Sequence, residues 1–179
     1  MTTSSIVQGH HRPEPVESNM AQVCELAGPL DVDALAAALR LVVERHTILR
    51  SRVVQGAADG PRLRVGPAST VRLQRTDLRY LAVGPAYEEA YRLRDADISG
   101  RFGPATDPWL RVRLTELPEQ RYLFTVVVHH IAVDTASPQI LWQELSKAYA
   151  QFAAGGRPGL PELPIQSRLL TSTRMPGRR

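Results

Sequence analysis

Two adjacent stretches of different periodicity, Leu110 to His129 and Pro138 to Phe152, restrict this chain more than anything else in it. Leu110, Val112 and Leu114 alternate with Arg111, Arg113 and Thr115, the period-two pattern of a strand with one buried face. A Pro118–Gln120 turn leads into Tyr122 to His129, where Leu, Phe and three Val follow without clean alternation. That pattern suits a strand covered on both faces. Ser137 and Pro138 then form an N-cap and first-turn pair. Ile140, Leu141, Glu144, Leu145, Ala148, Tyr149 and Phe152 recur at helical spacing until Gly155 and Gly156 stop the helix. A hairpin followed by an amphipathic helix requires a sheet with a helix laid against it.

The first half supplies more of both. Met20 to Leu26 reads as a strand, ended by Gly28 and Pro29. Asp31 or Asp33 is placed to cap a helix on which Leu35, Leu39, Val42 and His46 share a face. Leu49 to Val54 reads as a strand, the Gly56 to Gly60 segment as a turn, and Leu63 to Val65 and Val71 to Arg75 as further short strands. Tyr87, Ala90 and Tyr91 set a second helix over Ala86 to Ala96. The expected fold is α/β, a two-layer sandwich of a mixed sheet with packed helices. Residues 1–19 are polar with two prolines and read as a loose lead-in, residues 20–166 as one folded lobe, and 167–179 as a divergent Arg-rich tail. At 179 residues and 43% hydrophobic, the chain has room for one core and not two.

Charge excludes little but guides much. The basic excess of 22 over 18 comes from four Arg in the last thirteen residues, so the body is balanced and a nucleic-acid surface is not expected. The one cysteine, Cys24, can form neither an internal disulfide nor a multi-cysteine metal site, which suits a reducing, cytoplasmic compartment. The longest apolar stretch, Tyr122 to Val128, is far short of a membrane span, and no membrane partner is expected.

The chemistry-bearing residues gather where the second hairpin strand ends: His129, His130 and, four residues on, Asp134. Adjacent strand residues point to opposite faces, so one histidine is expected to be structural. The other can take a proton from an attacking amine or hydroxyl, as acyl transfer requires. Two satisfied core or turn histidines would give the same spacing. Asp134 is better placed to fix the turn, through an arginine or backbone N–H groups, than to act as a base. A metal centre lacks further ligands at suitable spacing. Arg45 and Arg50 flank His46; taken by themselves they suit the solvated, electronegative end of a helix.

Three motifs in order carry a family resemblance: Gly28-Pro29-Leu30-Asp31-Val32-Asp33-Ala34-Leu35, Arg45-His46-Thr47-Ile48-Leu49-Arg50, and His129-His130-x-x-x-Asp134. With the helix after them and Leu-Pro-Glu-Leu-Pro-Ile-Gln ending at Gln166, they resemble the condensation domains of nonribosomal peptide synthetases, from about Met20 to Gln166. These belong to the chloramphenicol acetyltransferase-like superfamily. The resemblance implies one lobe, the N-terminal, of a V-shaped pair, with a tunnel where a carrier-bound amine attacks a carrier-bound acyl thioester. It makes His130 the catalytic residue, His129 structural, and Asp134 the holder of the motif through Arg50 or Arg45. No cofactor is bound directly. The substrates are phosphopantetheine-carried thioesters, and the implied partners are carrier proteins and a second lobe or a second copy of the chain.

The chain departs from the family pattern at three places. Thr135 stands where the family usually has Gly, and its Cβ resists positive φ. The Ser- and Gln-bearing opening helix has no counterpart in Met1 to Glu17. After Gln166 the sequence turns to Ser-Arg-Leu-Leu and ends at Arg179, which suggests a frameshift or gene fragment. The expectation is therefore amide formation by a truncated lobe with little activity alone. Two alternatives stand beside it: a non-catalytic module that binds a carrier protein or pairs with another lobe, and an ester-forming lipid or polyketide acyltransferase using the same His130 and Asp134.

Overall fold

The computed structural model describes residues 19–56, 60–103, 105–133 and 138–160. The sheet at its centre runs β1 (Asn19–Ala27), β6 (Arg121–His129), β5 (Leu110–Leu117), β4 (Leu73–Asp77). β1 and β5 lie antiparallel to β6, and β4 lies parallel to β5, so the sheet is mixed. The β5–β6 hairpin is the tightest joint. Its two central turn residues, Glu119 and Gln120, have φ of 59° and 53°, and Arg121 N–H donates to the Pro118 carbonyl at 3.2 Å. Both positive angles match the twist of the strands they join, a turn that usually recruits Asn-Gly.

Helix α1 (Val32–Arg45) starts where Asp31 Oδ1 accepts the Ala34 N–H at 2.9 Å, so Asp31 and not Asp33 is the cap. Its Leu35, Leu39 and Val42 meet Leu145 and Ala148 of α4 (Pro138–Ala153) and the sheet residues Val112, Leu114 and Phe124 in one large core. Helix α2 (Val83–Ser99) covers a smaller cluster in which Ala86 and Ala90 pack on Leu117 and Leu123. Leu123 and Phe124 are successive and enter different clusters. β6 is therefore covered on both faces, and the sheet of the expected sandwich carries helices on each side.

Two boundaries differ from the sequence expectation. Thr47–Arg50 form a 3₁₀ turn, and strand β2 begins only at Ser51, running to Gly56 before β3 (Gly60–Val65) returns antiparallel beside it. Leu49 N–H donates to the His46 carbonyl and Ser51 Oγ to the Thr47 carbonyl, holding the turn closed while Leu49 sits fully buried. An apolar run of this length looks alike in either state. β4 begins at Leu73, because Val71 closes a second 3₁₀ turn, Ala68–Thr70, and its side chain is buried in the core. A short helical turn, α3 (His130–Val133), follows β6.

Candidate active site

β6 ends in the site. His129 N–H donates to the Trp109 carbonyl at 3.0 Å, which keeps the last strand residue in register at the mouth of the hairpin. Its half-buried imidazole stacks against Trp109, with ring centroids 4.6 Å apart, and takes the Phe102 ring edge-on at 5.8 Å. Nδ1 of His129 accepts the Ile131 N–H at 3.3 Å, which in the neutral ring leaves the proton on Nε2. Burial first, and the neighbouring His130 second, hold His129 below the ordinary histidine pKa. His129 is thus a neutral ring walled in by aromatic groups.

His130 is exposed. Strand alternation predicts the two rings on opposite faces, and the structure differs. His130 is not in the strand but opens α3, and its ring lies 4.5 Å from that of His129 at an interplanar angle of 37°. One ring is packed and the other meets solvent because the backbone turns into a helix between them.

Arg45 and His46 are not a solvated helix end. Both reach Glu144 on α4: Arg45 through Nε at 3.2 Å and Nη2 at 3.0 Å, His46 through Nε2 at 2.8 Å. Burial alone would raise the Glu144 pKa, but the hydrogen bonds from Arg45 and His46 outweigh it and the carboxyl lies below its ordinary value. Glu144 is the residue that sequence reasoning missed. Its only signal was a lone acid on the apolar stripe Leu141, Leu145, Ala148. Arg50 donates through Nη1 to the Gly66 carbonyl, at the base of the β2–β3 hairpin. Arg45 thus bonds to a side chain of α4 and Arg50 to a backbone carbonyl after β3. Asp134, Thr135 and Ser137 lie outside the described residues, as does the Pro161–Gln166 segment.

Among the described residues no group of His, Cys, Asp and Glu side chains is placed to hold a metal, and no helix is long and apolar enough to cross a membrane. Cys24 is buried, and burial pushes its thiol pKa up, so it offers no ready nucleophile. A cleft of about 440 Å³ lies between α1 and β4, lined by Ala36, Leu39, Arg40, Val71 and Leu73 among others; neither histidine of the pair borders it.

Comparison with known proteins places this geometry. The family profile for the Condensation domain matches residues 8–167. The chain is 39% identical over 159 residues to the isonitrile lipopeptide synthase of Mycobacterium tuberculosis, covering 87% of this chain and 6% of that protein. It is 32% identical over 154 residues to a linear gramicidin synthase of Brevibacillus parabrevis, covering 86% of this chain and 3% of that protein. Among solved structures it resembles the X-domain from teicoplanin biosynthesis at TM-score 0.70 and 31% identity, over 83% of this chain and 31% of that one. It resembles the first condensation domain of the calcium-dependent antibiotic synthetase at TM-score 0.69 and 26% identity, over 85% of this chain and 36% of that one. The chain therefore spans about a third of the solved domains and a few per cent of the synthetases. Motif order, sheet topology and profile agree that the chain belongs to the condensation-domain family of nonribosomal peptide synthesis.

Proposed function

We propose that His130 is the base of an acyl-transfer centre that joins a carrier-bound amine to a carrier-bound acyl thioester. The observation that carries this reading is the exposed His130 ring stacked on a packed, neutral His129 at the end of β6. In the step, the amine lone pair attacks the thioester carbonyl while His130 accepts the amine proton. The C–N bond forms, the C–S bond breaks, and the departing thiolate takes the proton from His130. A neutral His129 keeps a second positive charge away from the base as it becomes an imidazolium. His129 is the positioning residue, and Asp134, with Arg45 or Arg50, is assigned to holding the motif.

Acyl donor and amine must meet within near-attack distance, and that needs two tunnel walls. The assay supplies acyl-loaded and aminoacyl-loaded carrier proteins to the 179-residue chain, alone and with a separately expressed second lobe. Amide product is expected only with the second lobe, and to fall by about 10²- to 10⁴-fold in His130→Ala. Product that survives His130→Ala would refute the role of His130. A second reading, a non-catalytic module that binds carriers or pairs with a lobe, is favoured by Thr135 where the motif usually has Gly. It is distinguished by carrier binding without product even when the second lobe is present.

A further inference from the structure

The β2–β3 hairpin carries a feature the acyl-transfer chemistry does not use. In its register Val53 faces Leu63, and both pack against the core, so the alternate pairs, Arg52 with Arg64 and Val54 with Arg62, share the opposite face. Arg52 and Arg64 are directly opposed like charges, an arrangement that destabilises a hairpin unless an anion lies between them. Among the described residues neither forms a salt bridge, and the Nε of Arg52 is buried with no hydrogen-bond partner. Between Arg50 and Arg72 the sequence has five arginines, Arg50, Arg52, Arg62, Arg64 and Arg72, and one acid, Asp59.

We propose that this outward face of the β2–β3 hairpin is a docking surface for an acidic polypeptide, held by the guanidinium groups of Arg52 and Arg64. Planar guanidinium forks match carboxylates two bonds at a time. The charge of the rest of the chain selects a polypeptide over a long polyanion. Of the 22 basic residues, five lie in this stretch and four in the last thirteen residues, leaving 13 against 17 acids elsewhere. Outside the hairpin and the last thirteen residues the sequence offers a polyanion no further basic excess, whereas a compact acidic segment need touch only the hairpin. The proposal does not rest on the role of His130.

The test is fluorescence anisotropy of a short labelled peptide of alternating Glu and Thr with the full chain, over a range of salt. Wild type should bind with an affinity that falls as salt rises, and Arg52→Gln/Arg64→Gln should bind about tenfold or more weakly. Arg40→Gln, which removes an exposed charge from α1, should bind as wild type does. Free of ligand, Arg64→Gln should melt about 1–3 °C higher, because the opposed pair is gone; if the double variant does not fold, Arg64→Gln alone serves both measurements. Unchanged peptide binding in the folded variant overturns the proposal. Tighter binding of an oligothymidylate or of phosphatidylserine vesicles than of the peptide also overturns it.

Discussion

His129 and His130 share a dipeptide but not an environment, and proton linkage separates them. A histidine whose folded pKa is depressed binds its proton more readily in the unfolded chain, so its contribution is intact above the ordinary value near 6.5 and is lost as pH falls through that range. Stability measured by urea denaturation should therefore drop as pH falls below about 6.5, and His129→Asn, which can still accept the Ile131 N–H, should flatten that drop. An equally steep drop in the variant would remove His129 as its source. Glu144 obeys the same sign at lower pH: its carboxyl is depressed, so what it contributes is present above its ordinary value near 4.5 and lost as pH falls through the lower folded value. Glu144→Gln leaves Arg45 poorly solvated beside a neutral amide, and should cost about 3 kcal/mol at neutral pH. A denaturation midpoint unchanged from wild type would show that the cluster contributes nothing. His46 and Glu144 are 98 positions apart, and no local pattern announces their pairing. The sequence showed both residues but not the contact, because contact depends on how α1 and α4 pack.

Elements were legible in proportion to how local their determinants are. The β5–β6 hairpin and α4 could be read because alternation and helical spacing lie within each segment. Helix α2 extends to Val83–Ser99 around an expected Ala86 to Ala96, since Ala82 offers no capping side chain to mark its start. The 3₁₀ turn at Thr47–Arg50 was hidden because Ile48 and Leu49 are apolar and would be buried in a strand as well. The β5–β6 turn holds a testable strain. Glu119 and Gln120 both adopt positive φ, which costs an ordinary residue about 1 kcal/mol or more and Gly or Asn much less. Replacing the pair by Asn-Gly should stabilise the protein by about 1 kcal/mol, seen as a higher urea midpoint with unchanged slope. No gain would mean that interactions of the Glu119 and Gln120 side chains already offset the strain.

For the molecule as a whole, the sheet joins distant parts of the chain. β1 pairs with β6 from Asn19 against His129 to Ala27 against Arg121, so the sheet cannot close until residues about a hundred apart have met. Leu114, fully buried on β5 beside Phe124, lies in the core that the sheet shares with α1 and α4, and Leu114→Ala should cost about 2–5 kcal/mol in denaturation. A loss below about 1 kcal/mol would mean that this layer is not packed as described. The same topology gives Cys24 a second use. It lies on β1, at the edge of the sheet formed by the described residues, opposite Phe124, buried and with its thiol pKa raised, so a disulfide reagent can modify it only while β1 is detached. Its labelling rate is then a clock for the opening of β1. Comparing that rate with the global unfolding rate would tell whether the strand that closes the sheet also opens alone.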